Sequence, residues 1–242
     1  AAEVAGQLAE RGADHAAAGV FLMGQAVNII EYAQRKENII SYVVSLPTLA
    51  STAWELGKVD KTDTSFGAFM AEVKAFGETE YLTALFRGNQ IDPGARATVA
   101  AKLEAYTGIP AAYYNKNNNR ISKEAYRVEL LKSDGLILGR SDARYTGSAE
   151  PGADPASVLS SAYQEAFSDY VKFVFGFELG DDYKLYADVG EWVYGPPSPF
   201  AAFAFGKRLD PAFVANPDFR LVIGNGYQDT MTTVGAADYA VS

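Results

Sequence analysis

Phe219-Arg220-Leu221-Val222-Ile223-Gly224-Asn225-Gly226-Tyr227-Gln228-Asp229-Thr230 decides how the fold is read. Leu221-Val222-Ile223 is a short apolar run with charge on one side and Gly-Asn-Gly on the other. That is the pattern of a buried strand stopping at a tight loop, with Asp229 just past its C-terminal end. In open α/β sheets this edge carries the chemistry. An isolated Asp in such a place also has an ordinary structural use, as the cap of a helix starting near Thr230.

Working outward, the other end of the chain has matching grammar. Val4, Leu8 and several alanines over residues 1–11 are spaced for a helix that Gly12 stops. Ala18-Gly19-Val20-Phe21-Leu22-Met23-Gly24 then predicts a buried strand. Helix followed by strand is the order of a parallel α/β sheet. Between the two ends the pattern is mainly helical. Residues 38–56 are apolar around Pro47 and predict a kinked helix or two short ones. Phe66, Phe69, Met70, Val73 and Phe76 form one stripe, followed after Gly77 by Leu82, Leu85 and Phe86. Asp92-Pro93 opens a helix with Val99, Leu103 and Tyr106 inward. The polar run Asn115 to Arg120 predicts an exposed connection. A helix over 122–132, a short strand over 136–140, and a loop leading through Asp154-Pro155 into a helix to about Phe175 come next. Tyr183 to Tyr194 reads as strand or loop, and Pro196-Pro197-Ser198-Pro199 as a sharp break before a helix near 209–215. A final helix is expected to run to Ser242. An insertion of about 160 residues between two parts of a compact domain is usually a functional lid or cap.

Composition narrows the classes. The 242 residues are 48% apolar, enough for a substantial core, and 13% aromatic, which argues against disorder. A net charge of −9 without a basic block makes nucleic acid and anionic membrane poor partners. The absence of cysteine removes thiol nucleophiles, disulfides and cysteine metal sites. No apolar run approaches the roughly 20 residues of a membrane span. The opening Ala1-Ala2-Glu3 lacks the marks of a signal peptide and reads as the middle of a gene.

Four stretches resemble the bacterial branch of the serine carboxypeptidases, peptidases of the α/β-hydrolase fold. Val20-Phe21-Leu22-Met23-Gly24-Gln25-Ala26-Val27-Asn28 looks like the strand leading into the cap. Tyr42-Val43-Val44-Ser45-Leu46-Pro47-Thr48-Leu49-Ala50 with Trp54 looks like the first cap segment. Leu138-Gly139-Arg140-Ser141-Asp142-Ala143-Arg144-Tyr145-Thr146-Gly147 looks like a mid-cap motif. Asn216-Pro217-Asp218-Phe219 through Asp229 looks like the strand and loop presenting the triad acid. No one of these is as diagnostic as a nucleophile elbow, but they occur in the family's order along nearly the whole chain.

The resemblance implies a partial α/β-hydrolase core at residues 1–37 and 206–242, carrying a mainly helical cap over 38–205. It implies release of C-terminal residues from peptides through an acyl-enzyme, with Asp229 as the acid that orients the histidine. In this fold the order is Ser, acid, His. No Gly-x-Ser-x-Gly occurs here, so the serine is expected upstream of Ala1 and the histidine downstream of Ser242. The chain then reads as an interior segment, inactive alone, from a protein that works in the periplasm or outside the cell. Its exposed sheet edges are expected to favour a homo-oligomer or domain swap. No cofactor or metal is required.

Other features favour plainer readings. His15, the only histidine, precedes the acid and sits in a helix-to-strand loop, so an exposed titrating side chain is expected there. Glu178, Asp181 and Asp182 lack calcium-loop spacing, and Gly224-Asn225-Gly226 lacks the third glycine of a dinucleotide fingerprint. Lys58, Asp60, Lys61 and Asp63 form a solvated run. Tyr113, Tyr114 and Trp192 are better placed in packing than in a cleft. Two alternatives stay open: a non-catalytic helical binding module, and a capped esterase of the same fold.

Overall fold

The computed structural model describes residues 1–27, 34–150, 152–180, 183 and 205–242. The expected strand or loop over 183–194, Trp192, Asp181-Asp182 and the proline break at 196–199 lie outside the described residues, save Tyr183. Helix α1 (Ala2–Glu10) and strand β1 (Gly19–Met23) stand where the N-terminal pattern puts them. Then follow α2 (Ile39–Glu55), α3 (Phe66–Phe76), α4 (Leu82–Arg87), α5 (Pro93–Thr107), α6 (Ala111–Lys116) and α7 (Lys123–Glu129). Strands β2 (Leu136–Leu138) and β3 (Thr146–Ser148) form an antiparallel hairpin ahead of α8 (Val158–Phe175). The chain closes with α9 (Asp210–Ala215), β4 (Arg220–Gly224) and α10 (Val234–Tyr239). The molecule is therefore mixed α and β, with helices dominant.

β1 and β4 pair in parallel, Gly19 with Arg220 through Met23 with Gly224, and Gly24 N–H extends the ladder to Gly224 O at 2.8 Å. One face of the pair carries Val20 and Leu221 onto a small core of Ala2, Ala5, Ala9, Leu209, Ala212 and Phe219. The opposite face leaves Phe21, Met23 and Val222 exposed. The apolar runs predicted buried strands, with apolar sheet surface left exposed. They are strands, but among the described residues only one face is covered, so alternate side chains point outward.

The larger core belongs to the helices and holds Leu46, Leu49, Val73, Leu103, Tyr114, Tyr126 and Leu138. Residues 39–55 form one helix through Pro47, the single-helix alternative of the two expected, and two other local expectations are corrected in this core. The helix is buried on most of its circumference, and that packing outweighs the cost of about 3 kcal/mol for an interior proline. Its buried hydroxyls turn back to the helix's own carbonyls, Ser45 Oγ to Ser41 O and Thr52 Oγ1 to Thr48 O. The stripe after Gly77 is rotated, because one π-helical turn over Gly77–Tyr81 joins α3 to α4. Tyr81, Ala84 and Leu85 go inward and Phe86 is 82% exposed. Finally, the polar run 115–120 is only partly a surface connection. Asn118 and Asn119 both take left-handed backbone angles, and Asn119 is buried with its carbonyl accepting from Tyr81 OH at 2.8 Å.

α10 lies against α2, and the contact needs glycine. A Cβ on Gly235 would sit 2.3 Å from Val44 O. The segment after β4 is thus fastened to the helical core as well as to the sheet.

Candidate functional site

Because β1 and β4 run parallel, their C-terminal ends share one edge, and the chain leaving β4 curls over it. Asn225 Nδ2 donates to Thr232 O at 2.7 Å, which closes residues 225–232 into a loop. Asp229 sits inside this loop, half-buried. Its Oδ1 accepts the N–H groups of Met231 at 2.8 Å and Thr232 at 3.2 Å, and its Oδ2 accepts the Thr232 hydroxyl at 2.6 Å. This is an Asx turn and not the helix cap that a lone Asp suggests. The helix starts later, at Val234, with Thr233 at its N-cap. A carboxylate has about four acceptor sites, so the turn uses most of them and leaves room for one more donor on Oδ2.

Gly24, at the end of β1, faces that oxygen. Its φ is +55°, and a Cβ there would stand 3.9 Å from Asp229 Oδ2 and 3.5 Å from Thr232 Oγ1. The position favours glycine for its backbone angle, since a Cβ there would make only ordinary contact with the carboxylate and the Thr232 hydroxyl.

The loop is gripped from the helical side at several points. Gln228 Nε2 donates to Ser51 Oγ of α2 at 2.8 Å, and Gln228 O accepts Ala143 N–H at 2.9 Å. Thr230 donates its N–H and its hydroxyl to Arg140 O. Lys123 Nζ donates to Met231 O at 3.0 Å. Thr233 Oγ1 reaches Val44 O, and Val234 N–H reaches Thr48 Oγ1, both at 3.3 Å.

Behind these contacts stands an ion network. Glu124 bonds Arg140 through Nε and Nη2, at 3.1 and 3.2 Å, and Arg127 through Nη1 at 2.7 Å. Arg127 is almost wholly buried and also donates to Leu138 O at 2.8 Å. Burial pushes the Glu124 carboxyl up, but its bonds to Arg140 and Arg127 outweigh that and hold it below the usual range. Burial lowers the Lys123 ammonium, and the charges of Asp229 and Glu124 pull it part of the way back.

Asp229 therefore lies at the sheet edge where the sequence put it. His15 lies in the turn before β1, exposed, at the opposite end of the parallel pair. Tyr114 is fully buried in the helical core. Lys123, Thr232 and Gln228 were missed as contributors to the site. The Asp-x-x-Thr spacing of an Asx turn was the one signal for Thr232, whereas Lys123 and Ser51 arrive from elements distant in sequence and leave none. Among the described residues no group of three or more acidic or histidine side chains comes together as metal ligands, and no helix is long and apolar enough to cross a membrane. A groove of about 250 Å³ lined by Val43, Pro47, Val73, Leu82 and Tyr239 lies between α2, α3 and α10, and Asp229 is not among its walls. No protein family, curated protein or solved structure matches the chain.

Proposed function

We propose that this chain supplies the acid and the helical cap of a serine carboxypeptidase-like hydrolase, with Asp229 orienting a histidine. The observation that carries this reading is the position of Asp229. It follows the strand at the C-terminal edge of a parallel pair, is fixed by three hydrogen bonds, and keeps one further acceptor position on Oδ2 beside a glycine. A triad acid needs those properties: it must be immobile and able to accept one imidazole N–H. The serine and the histidine would come from outside these residues, since Gly-x-Ser-x-Gly is absent and His15 is at the wrong end. The substrate would be a peptide, and the setting periplasmic or extracellular.

The test has two parts. The 242-residue chain should show no turnover of peptide or ester substrates. In a polypeptide that also carries a serine elbow and a later histidine, Asp229→Asn should lower kcat by about 10⁴-fold while the fold is kept. Turnover that survives Asp229→Ala would remove Asp229 from the mechanism. A capped esterase would behave identically toward Asp229 and differ in preferring esters over peptides with a free C-terminus.

A second reading, a helical interaction module, is favoured by α8, which exposes Tyr163, Tyr170 and Phe173. It requires that Asp229→Asn leave every activity of the protein unchanged.

A further inference from the structure

We infer that Lys123 is a positioning residue, whose ammonium binds the Met231 carbonyl and so holds the Asp229 loop in place from the cap side. The inference rests on the reading of Asp229 as a triad acid. It deepens that reading by naming what keeps the carboxylate aimed.

Three observations carry it. The carboxylate is oriented by the N–H groups of Met231 and Thr232, so the peptide planes at 230–232 set where Oδ2 points. Two successive carbonyls at the C-terminal side of this turn are held by Lys123 Nζ, on Met231 O, and by Asn225 Nδ2, on Thr232 O. Lys123 itself is fixed at the first turn of α7, where its N–H donates to Gln34 Oε1 at 2.6 Å and Ser122 caps the helix through Ala125 N–H.

The next residue of the same turn completes the grip. Glu124 clamps the Arg140 guanidinium, and the Arg140 carbonyl holds Thr230. One turn of α7 thus touches the acid loop directly through Lys123 and indirectly through Glu124 and Arg140. A shift of α7 of the size that breaks a hydrogen bond would turn the Met231 peptide and with it the carboxylate. Charged groups acting on the ammonium include, among the described residues, Asp229 from the loop and Glu124 from its own helix.

The experiment is amide hydrogen exchange by NMR on the full chain, comparing it with Lys123→Met and Lys123→Arg. In Lys123→Met the Met231 and Thr232 amides should exchange about tenfold faster, the loss of one hydrogen bond to a charged group. The β1–β4 ladder and α2 should keep their protection, and Lys123→Arg should restore the loop. Unchanged exchange at 231 and 232 in Lys123→Met, or no rescue by Arg, overturns the inference. A second measurement does not depend on that variant folding. The Lys123 ammonium, followed by its side-chain ¹⁵N signal, should titrate at lower pH in Asp229→Asn than in the parent, because an attracting charge is gone. An unmoved titration also overturns it. Neither readout uses turnover, so this inference and the hydrolase reading fail separately.

Discussion

The backbone carbonyl of Arg140 accepts two hydrogen bonds from Thr230, from the N–H at 3.0 Å and from the hydroxyl at 2.7 Å. Thr230 is buried, so neither bond is exchanged for water when it is lost. Thr230→Val keeps the shape and the N–H bond but leaves an oxygen acceptor with one donor fewer. It should cost about 1 kcal/mol, and Thr230→Ser should cost less. Urea midpoints of the two variants check this: equal midpoints would mean that the hydroxyl bond contributes nothing.

Arg127 ties three elements together from inside the core, through Leu138 O, Glu124 and Ala153 O. Arg127→Met fills much of the same space but strands the Leu138 carbonyl. We expect a loss of about 2–4 kcal/mol, read from the shift of the urea transition. The β2–β3 hairpin should lose amide protection first. A variant as stable as the parent would show that the guanidinium is not what holds the hairpin on α7.

Stability should fall on both sides of neutral pH, for different reasons. The bond to Arg144 holds Asp142 below its ordinary value. Burial raises Glu124, and its arginine partners lower it by more. Groups depressed in the folded state contribute stability above their unfolded pKa, and that contribution is lost as pH falls through the folded value, here below about pH 4. Burial raises the phenols of Tyr81, Tyr114 and Tyr126. For these acids the folded state holds its proton longer, so stability is lost as pH rises beyond about 10. Urea midpoints at pH 3, 7 and 11 should peak at 7. Glu124→Gln should flatten the acid limb, and an unaltered limb would assign it to other carboxylates.

Phe21, Met23 and Val222 form an exposed apolar patch on the open face of the parallel pair. Such a face is normally covered in a parallel sheet. The chain should self-associate in sedimentation at high concentration, and Met23→Lys with Val222→Lys should shift it toward monomer. A parent chain that stays monomeric throughout would mean the patch is too small to drive association.

The sheet-forming ends and the capped helices were legible because their signals are local. Asp92-Pro93 opens α5 with its carboxylate on Gly94 and Ala95, and the apolar runs at 19–23 and 221–223 are strands as read. What the sequence did not reveal depended on neighbours. The run around Pro47 allowed one helix or two, and tertiary packing decides for one, while Phe86 turns outward because of a π turn that no periodicity announces. At the site, Asp229 was legible from its place after a strand. Its grip by Lys123, Arg140 and Ser51 was not, since those residues lie between about 90 and 180 positions away along the chain.

The pairing of β1 with β4 has a consequence for the order of folding. Gly19 and Arg220 meet across about 200 intervening residues, so this ladder closes a very long loop for only a few hydrogen bonds. The helical core between them is built from contacts much nearer in sequence and forms without that closure. We expect the two strands to come together late, on a core already assembled, with the Asp229 loop acquiring its geometry at the end of the process. A nascent chain stalled before β4 would hold a helical core still lacking α10 against α2, and an unpaired β1.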